Sequence, residues 1–167
     1  MSIFVFDAYG TLFDVHAAIA RFRGEAGPDA DRMSEIWRAK QLEYTWTLTL
    51  AGHYVDFWTL TERALDYALA RVPSVDKALK AKLLEAYFQL DAFPDARAAL
   101  RALKARGHQT GILSNGSPNM LQGAVDGAGI GGDLRRVEHL LPDLQVSEEH
   151  IIRPPRVNGG RAVLIGA

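Results

Sequence analysis

Ser2-Ile3-Phe4-Val5-Phe6-Asp7-Ala8-Tyr9-Gly10-Thr11-Leu12-Phe13-Asp14 opens the chain, and its reading decides the fold. Ile3 to Phe6 are apolar, aromatic or β-branched without alternation, the pattern of a strand buried on both faces in a parallel sheet. The run stops at an acid, and Gly10 supplies a flexible turn just beyond it. In an open parallel sheet the carboxyl ends of the strands border the ligand crevice, which puts Asp7 at a reactive position. A carboxylate there can attack carbon or phosphorus and form an ester that water later cleaves. Taken alone, Asp7 serves equally well as the cap of a turn.

After this strand the chain turns helical. Val15 to Arg23 predicts a short helix ended by Gly24 and Gly27-Pro28, and Asp29 or Asp31 caps a longer one running to Leu50, with Gly52 at its end. A further helix runs from Asp56 to Arg71 with Leu60, Ala64, Leu65, Ala68 and Leu69 on one face. Beyond Pro73-Ser74, the residues Val75, Leu79, Leu83, Leu84, Tyr87 and Phe88 follow a helical period. A helical block between a first and a second strand reads as an inserted cap whose closure excludes water.

The core resumes at Phe93-Pro94-Asp95, with Pro94 in a first helical turn, Ala96, Ala99, Leu100 and Leu103 as an apolar stripe and Gly107 as the C-cap. His108 to Asn115 reads as a strand ending in two small polar residues, and Ser117-Pro118 starts a helix through Ala128. Strand, helix, strand, helix implies a parallel α/β sheet. The expected organisation is an α/β core from 1–15 and 91–167, interrupted by a helical cap at 16–90.

Composition bounds the function. The 167 residues, 48% of them hydrophobic, suffice for one core domain with an inserted lobe. A net charge of −1 offers no electrostatic footprint for nucleic acid or an anionic membrane. With no cysteine, disulfide scaffolds, thiol nucleophiles and Cys-type zinc sites are excluded. The start resembles no signal peptide, no run approaches a membrane span, and a cytoplasmic location is the default expectation. His16, His53, His108, His139 and His150 are scattered without metal-ligand spacing. Gly127-Ala128-Gly129-Ile130-Gly131-Gly132 matches the dinucleotide fingerprint only literally, because it follows a helix rather than a strand. A Ser-His-Asp hydrolase has no G-x-S-x-G elbow to anchor it.

Asp7-Ala8-Tyr9-Gly10-Thr11-Leu12-Phe13-Asp14 resembles the first signature of the haloacid dehalogenase superfamily, in the form used by type II (S)-2-haloacid dehalogenases. Phosphatases of that superfamily carry a second aspartate two residues after the nucleophile, where it protonates the leaving group. Tyr9 stands there, and a phenol with a reference pKa of about 10 is a poor replacement. A halide leaves as a stable anion and needs no acid, so Tyr9 favours carbon–halogen displacement.

Ile112-Leu113-Ser114-Asn115-Gly116-Ser117-Pro118 is ordinary turn and N-cap chemistry by itself. It also resembles the family's second signature, which implies that Ser114 binds the substrate carboxylate and Asn115 helps hold the departing halide. Ile36-Trp37-Arg38-Ala39-Lys40-Gln41-Leu42-Glu43-Tyr44-Thr45-Trp46 reads as an amphipathic helix with Trp37, Tyr44 and Trp46 packing inward. An arginine there is ordinarily a solvated surface charge. The segment is similar to the family's cap helix, which implies that Arg38 faces the nucleophile and that Leu42 and Phe57 line the pocket around the C2 substituent.

The resemblance thus implies a haloacid-dehalogenase-like, Rossmann-like α/β fold. It implies an enzyme converting short (S)-2-haloalkanoic acids to (R)-2-hydroxyacids through an ester on Asp7. Thr11 would orient Asp7, Arg38, Ser114 and Asn115 would serve catalysis, and Tyr9, Arg38, Leu42, Phe57, Ser114 and Asn115 would contact substrate. No cofactor or metal is called for, the partner is a small 2-haloacid rather than nucleic acid or membrane, and a homodimer is left open. Two rivals stand beside this: a magnesium-dependent superfamily phosphatase, and a catalytically silent relative that acts by binding a partner.

The last fifth of the chain departs from the pattern. Val137 to Val146 resembles the family's third strand region, but the expected lysine is missing, since no lysine follows Lys104. Arg153-Pro154-Pro155-Arg156-Val157 only echoes the lysine segment, and Ala162 to Ile165 reads as the next strand. The Ser-Ser-Asn segment and later acid have no counterpart. The expectation is therefore a dehalogenase truncated or frame-altered after about residues 130–146, with slow ester hydrolysis and an uncovered sheet edge.

Overall fold

The computed structural model describes residues 2–139 and 161–165. The expectations placed on 140–146 and on Arg153 to Val157 lie outside the described residues. The chain divides into two compact units, Met1–Asp14 with Asp91–Ala167, and Val15–Leu90.

The first unit is an α/β core. Strand β1 (Ser2–Phe6) pairs in parallel with β2 (Gln109–Ser114) on one side and β4 (Arg161–Ile165) on the other, and β2 pairs in parallel with β3 (Arg136–His139). The order β3-β2-β1-β4 makes β1 an interior strand. Ala162 to Ile165 is a strand as read, and its partner is β1. Within β1, Phe6 is buried while Ile3, Phe4 and Val5 are half-buried. The register sets Phe6 opposite Ile112. Asp7 and the Ser114-Asn115 pair therefore leave the sheet at the same edge, as parallel neighbours must.

Helices α6 (Ala96–Ala105) and α7 (Pro118–Ala128) make the core crossovers. Pro94 precedes α6 rather than entering it, and Ala99 is exposed at the border of a narrower stripe of Ala96, Leu100 and half-buried Leu103. In α7 the buried residues Met120, Leu121, Ala124, Val125 and Ala128 recur at helical spacing. Gly129, at φ 61°, is the left-handed residue that ends the helix. The literal dinucleotide fingerprint is thus a helix stop followed by a 3-10 turn at Gly131–Asp133.

The second unit holds α1 (Ala17–Ala20), α2 (Arg23–Ala26), α3 (Ala30–Leu50), α4 (Phe57–Arg71) and α5 (Lys80–Phe88). The single helix expected over Val15 to Arg23 is broken at Phe22, whose φ −112° and ψ 21° leave the helical region. Neither Asp29 nor Asp31 caps α3: Asp29 accepts a 2.6 Å hydrogen bond from the Ser74 hydroxyl, and Asp31 pairs with Arg23. A 3-10 turn at Gly27–Asp29 runs directly into α3, leaving Asp29 without the extended backbone an N-cap needs. Trp37 is buried, with Nε1 donating to the Thr61 carbonyl at 2.9 Å and its ring 5.1 Å from that of Tyr87. Trp46 does not pack inward, being 62% exposed. At about 100° per residue, position 46 lies on the opposite side of the helix from position 37.

Asp56 is the N-cap of α4, its carboxylate accepting from the Thr59 N–H at 3.0 Å and from the Thr59 hydroxyl. Burial pushes the Asp56 carboxyl up, but the bonds from Thr59, with the backbone N–H groups of Trp58 and Asp56, outweigh it and hold the group below the usual carboxylate range. A depressed folded-state pKa gives stability that is present above the unfolded pKa and lost as pH falls through the folded one. Asp56→Ala is expected to cost about 1 kcal/mol at neutral pH. The deficit should shrink below roughly pH 4, as read by urea denaturation of both proteins at each pH.

Candidate active site

In the core unit the residues after β1 fold into a compact loop. The Ala8 carbonyl accepts from the N–H groups of Thr11, Leu12 and Phe13, at 3.3, 2.9 and 3.0 Å, and Gly10 N–H returns to the Phe13 carbonyl at 2.9 Å. Gly10 adopts φ 96°, a conformation that side chains resist. The loop is held to the later chain by Phe93 N–H on the Leu12 carbonyl and Asp14 N–H on the Asp91 carbonyl, both at 2.9 Å. This winding brings Thr11 back over the strand end, where its hydroxyl lies 3.5 Å from Asp7 Oδ2, a long and therefore weak hydrogen bond. Asp7 itself is half-buried.

The second strand end supplies Ser114 and Asn115. Ser114 is 2% exposed and its Oγ accepts from the Gly116 N–H at 3.2 Å, while Asn115 is exposed. The core unit therefore brings Asp7, Thr11, Ser114 and Asn115 to one sheet edge. Tyr9, also expected there, is 3% exposed and packs its ring on this turn.

Gly116 is a residue that sequence reasoning passed over. A Cβ at position 116 would stand 2.5 Å from Tyr9 Cε2 and 3.2 Å from Leu121 Cδ2. Glycine is what lets the Tyr9 ring close against the β2–α7 turn. Gly116→Ala is expected to displace Tyr9 and to lower stability by roughly 1–3 kcal/mol, the usual cost of overpacking. A denaturant midpoint equal to that of the parent would show that the ring yields freely.

The other expected residues belong to the second unit. Arg38 is half-buried on α3, and its Nη1 donates to Gln41 Oε1 at 2.9 Å. Leu42 is half-buried one turn on from Arg38, and Phe57 is buried at the first position of α4. Val15, Ser34, Trp37, Arg38, Gln41 and Tyr87 line a narrow recess in this unit. Gln41 was not singled out from sequence, its one signal being the spacing of the buried face of α3, four residues after Trp37, and Tyr87 was read only as part of the apolar stripe of its helix. Among the described residues no cluster of three or more His, Asp or Glu could hold a metal ion. No helix among them is long and apolar enough to cross a membrane.

The profile of the haloacid dehalogenase-like hydrolases matches residues 1–146. The chain belongs to that family. As a haloacid dehalogenase-like hydrolase it is 46% identical over 155 residues to (S)-2-haloacid dehalogenase 1 of Pseudomonas sp. strain CBS-3, covering 92% of this chain and 66% of the relative. It is 51% identical over 122 residues to (S)-2-haloacid dehalogenase 4A of Burkholderia cepacia, covering 72% and 53%. The structure of L-2-haloacid dehalogenase from Xanthobacter autotrophicus with chloropropionic acid covalently bound is similar at a TM-score of 0.73 and 37% identity, over 83% of this chain and 56% of that one. The chain thus spans between about half and two thirds of these relatives' length.

Proposed function

We propose that this chain carries the machinery for displacing halide from short (S)-2-haloalkanoic acids, with Asp7 as the nucleophile. The observation that carries the reading is the end of β1: a half-buried carboxylate on an interior strand, a threonine hydroxyl returned over it, and a tyrosine in place of a general acid two residues on. The names of the relatives, and the covalently bound chloropropionic acid in one of them, support it.

In the proposed chemistry a carboxylate oxygen of Asp7 attacks C2 in line with the carbon–halogen bond. The halide departs with the bonding pair, and C2 inverts into an ester with Asp7. Arg38 and Asn115 stabilise the developing halide, Arg38 with a fork of donors that is always charged. Ser114 and neighbouring backbone N–H groups bind the substrate carboxylate. Tyr9, Leu42 and Phe57 complete the surroundings of the substrate. Water then attacks the Asp7 carboxyl carbon and breaks its bond to the ester oxygen. The (R)-2-hydroxyacid leaves with one former Asp7 oxygen, and Asp7 retains one from water. A small water-soluble anion as substrate suits a cytoplasmic enzyme.

Halide release from (S)- and (R)-2-chloropropionate tests the reading. The (S) acid should release chloride and yield the (R)-hydroxyacid, while the (R) acid should not react. Equal consumption of both, or phosphatase activity dependent on Mg²⁺ with none on either haloacid, would overturn it.

A further inference from the structure

We propose that Gln41 is a positioning residue that fixes the Arg38 guanidinium at the end of a directional chain of hydrogen bonds rooted in the α4 backbone. The direction follows from what each group can do. The Thr61 hydroxyl donates to the Phe57 carbonyl at 2.7 Å, one helical turn back, so its single hydrogen is committed. Thr61 Oγ1 can then only accept, and Gln41 Nε2 lies 2.6 Å from it. At the other end a guanidinium can only donate, and Arg38 Nη1 lies 2.9 Å from Gln41 Oε1. Only one orientation of the Gln41 amide satisfies both neighbours.

The Tyr87 hydroxyl braces this amide from α5, 3.1 Å from Nε2 and 3.2 Å from Oε1. Burial pushes the Tyr87 phenol up, against the pull of Arg38 and Gln41, so it stays neutral and keeps its hydrogen. Arg38 and Gln41 are three apart on one helix, a spacing at which any two side chains can meet. Three features separate this pair from such a surface contact. Gln41 is 1% exposed, Thr61 is fully buried, and their partners come from α4 and α5 as well as α3. A buried amide is costly unless its hydrogen bonds are made, and leucine or methionine would fill the space without that demand. What the glutamine adds is an acceptor held at a fixed point beside Arg38.

The inference rests on the proposed role of Arg38 in halide displacement, and its test separates the two. The first measurement is the guanidinium N–H signals of Arg38 by isotope-resolved NMR of the full chain, assigned by their loss in Arg38→Lys. The parent should show separate, slowly exchanging Nη signals, which merge in Gln41→Met. Gln41→Glu keeps an acceptor for Arg38 but sets a carboxylate oxygen against Thr61 Oγ1, which can only accept, so the chain loses its root and the signals should broaden. Tyr87→Phe, which leaves the ring against Trp37, should broaden them.

The second measurement is the rate at which Asp7 is esterified by (S)-2-chloropropionate. Gln41→Met should lower the saturating rate roughly 10- to 100-fold with little change in half-saturation, and Gln41→Glu, which keeps the acceptor but not the donor to Thr61, should restore only part of it. Arg38 signals unchanged by Gln41→Met, or already merged in the parent, would overturn the inference. An Arg38→Lys protein esterified as fast as the parent would overturn the role of Arg38 in the reaction, while the NMR series still decides whether Gln41 holds it.

Discussion

Asp7→Asn is expected to abolish halide release, lowering the rate by roughly 10⁴-fold or more. The amide has the size of the carboxylate but no negative charge, and its lone pairs are delocalised, so it is a poor nucleophile toward saturated carbon. Thr11 Oγ1 lies 3.5 Å from Asp7 Oδ2, a contact that an amide oxygen can also accept. The fold should therefore survive, with circular dichroism and the denaturation midpoint close to the parent's. Retained fold with lost activity assigns the loss to chemistry. Halide release at the parental rate would mean that another group, or water directly, attacks C2.

The second large effect is expected at Arg38. Arg38→Lys keeps the charge but replaces a planar fork of donors with a point charge on a flexible stem. If Arg38 stabilises the leaving halide, the rate should fall roughly 10- to 1,000-fold, the range for losing one pre-organised electrostatic group. The ammonium can still donate to Gln41 Oε1, so the packing around Trp37 and Tyr87 should hold and stability should change little. An Arg38→Lys variant as fast as the parent would make Arg38 a structural residue of the helical unit.

How much could be read from the sequence depended on how local each cause is. Strand β1 and the position of Asp7 at its end were legible because Ile3 to Phe6 are continuous, apolar and followed at once by an acid and a glycine. The strand and helix around Ser114, the run of helices between β1 and β2, and the α4 face of Leu60, Ala64, Leu65, Ala68 and Leu69 followed from simple periodicity, and the last of these are buried. The helix ends were less legible. Asp29 and Asp31 have the composition of caps, yet their carboxylates are taken by Ser74 and Arg23, partners that a local reading does not see. Trp46 is misplaced when aromatic character is weighed above angular position. Gln41 and Gly116 escape for a third reason: their importance lies in neighbours distant in sequence, Thr61 and Tyr87 for one and Tyr9 for the other. The roles proposed for Ser114 and Asn115 rest on the family resemblance, since the same residues make an ordinary turn.

The central claim is covalent attack by Asp7, and the most direct measurement is mass spectrometry of the Asp7 peptide. The protein is mixed in excess with (S)-2-chloropropionate in heavy-oxygen water, quenched in acid and digested. The peptide carrying Asp7, and no other, should gain either the mass of a 1-carboxyethyl ester or, where the ester has been hydrolysed, heavy oxygen in its carboxylate. The first hydroxyacid released should carry ordinary oxygen. Heavy oxygen in the hydroxyacid with an unlabelled Asp7 peptide would mean direct attack by water, and an unchanged peptide with no chloride released would mean that the carboxylate at the end of β1 does not react; either result contradicts covalent attack by Asp7.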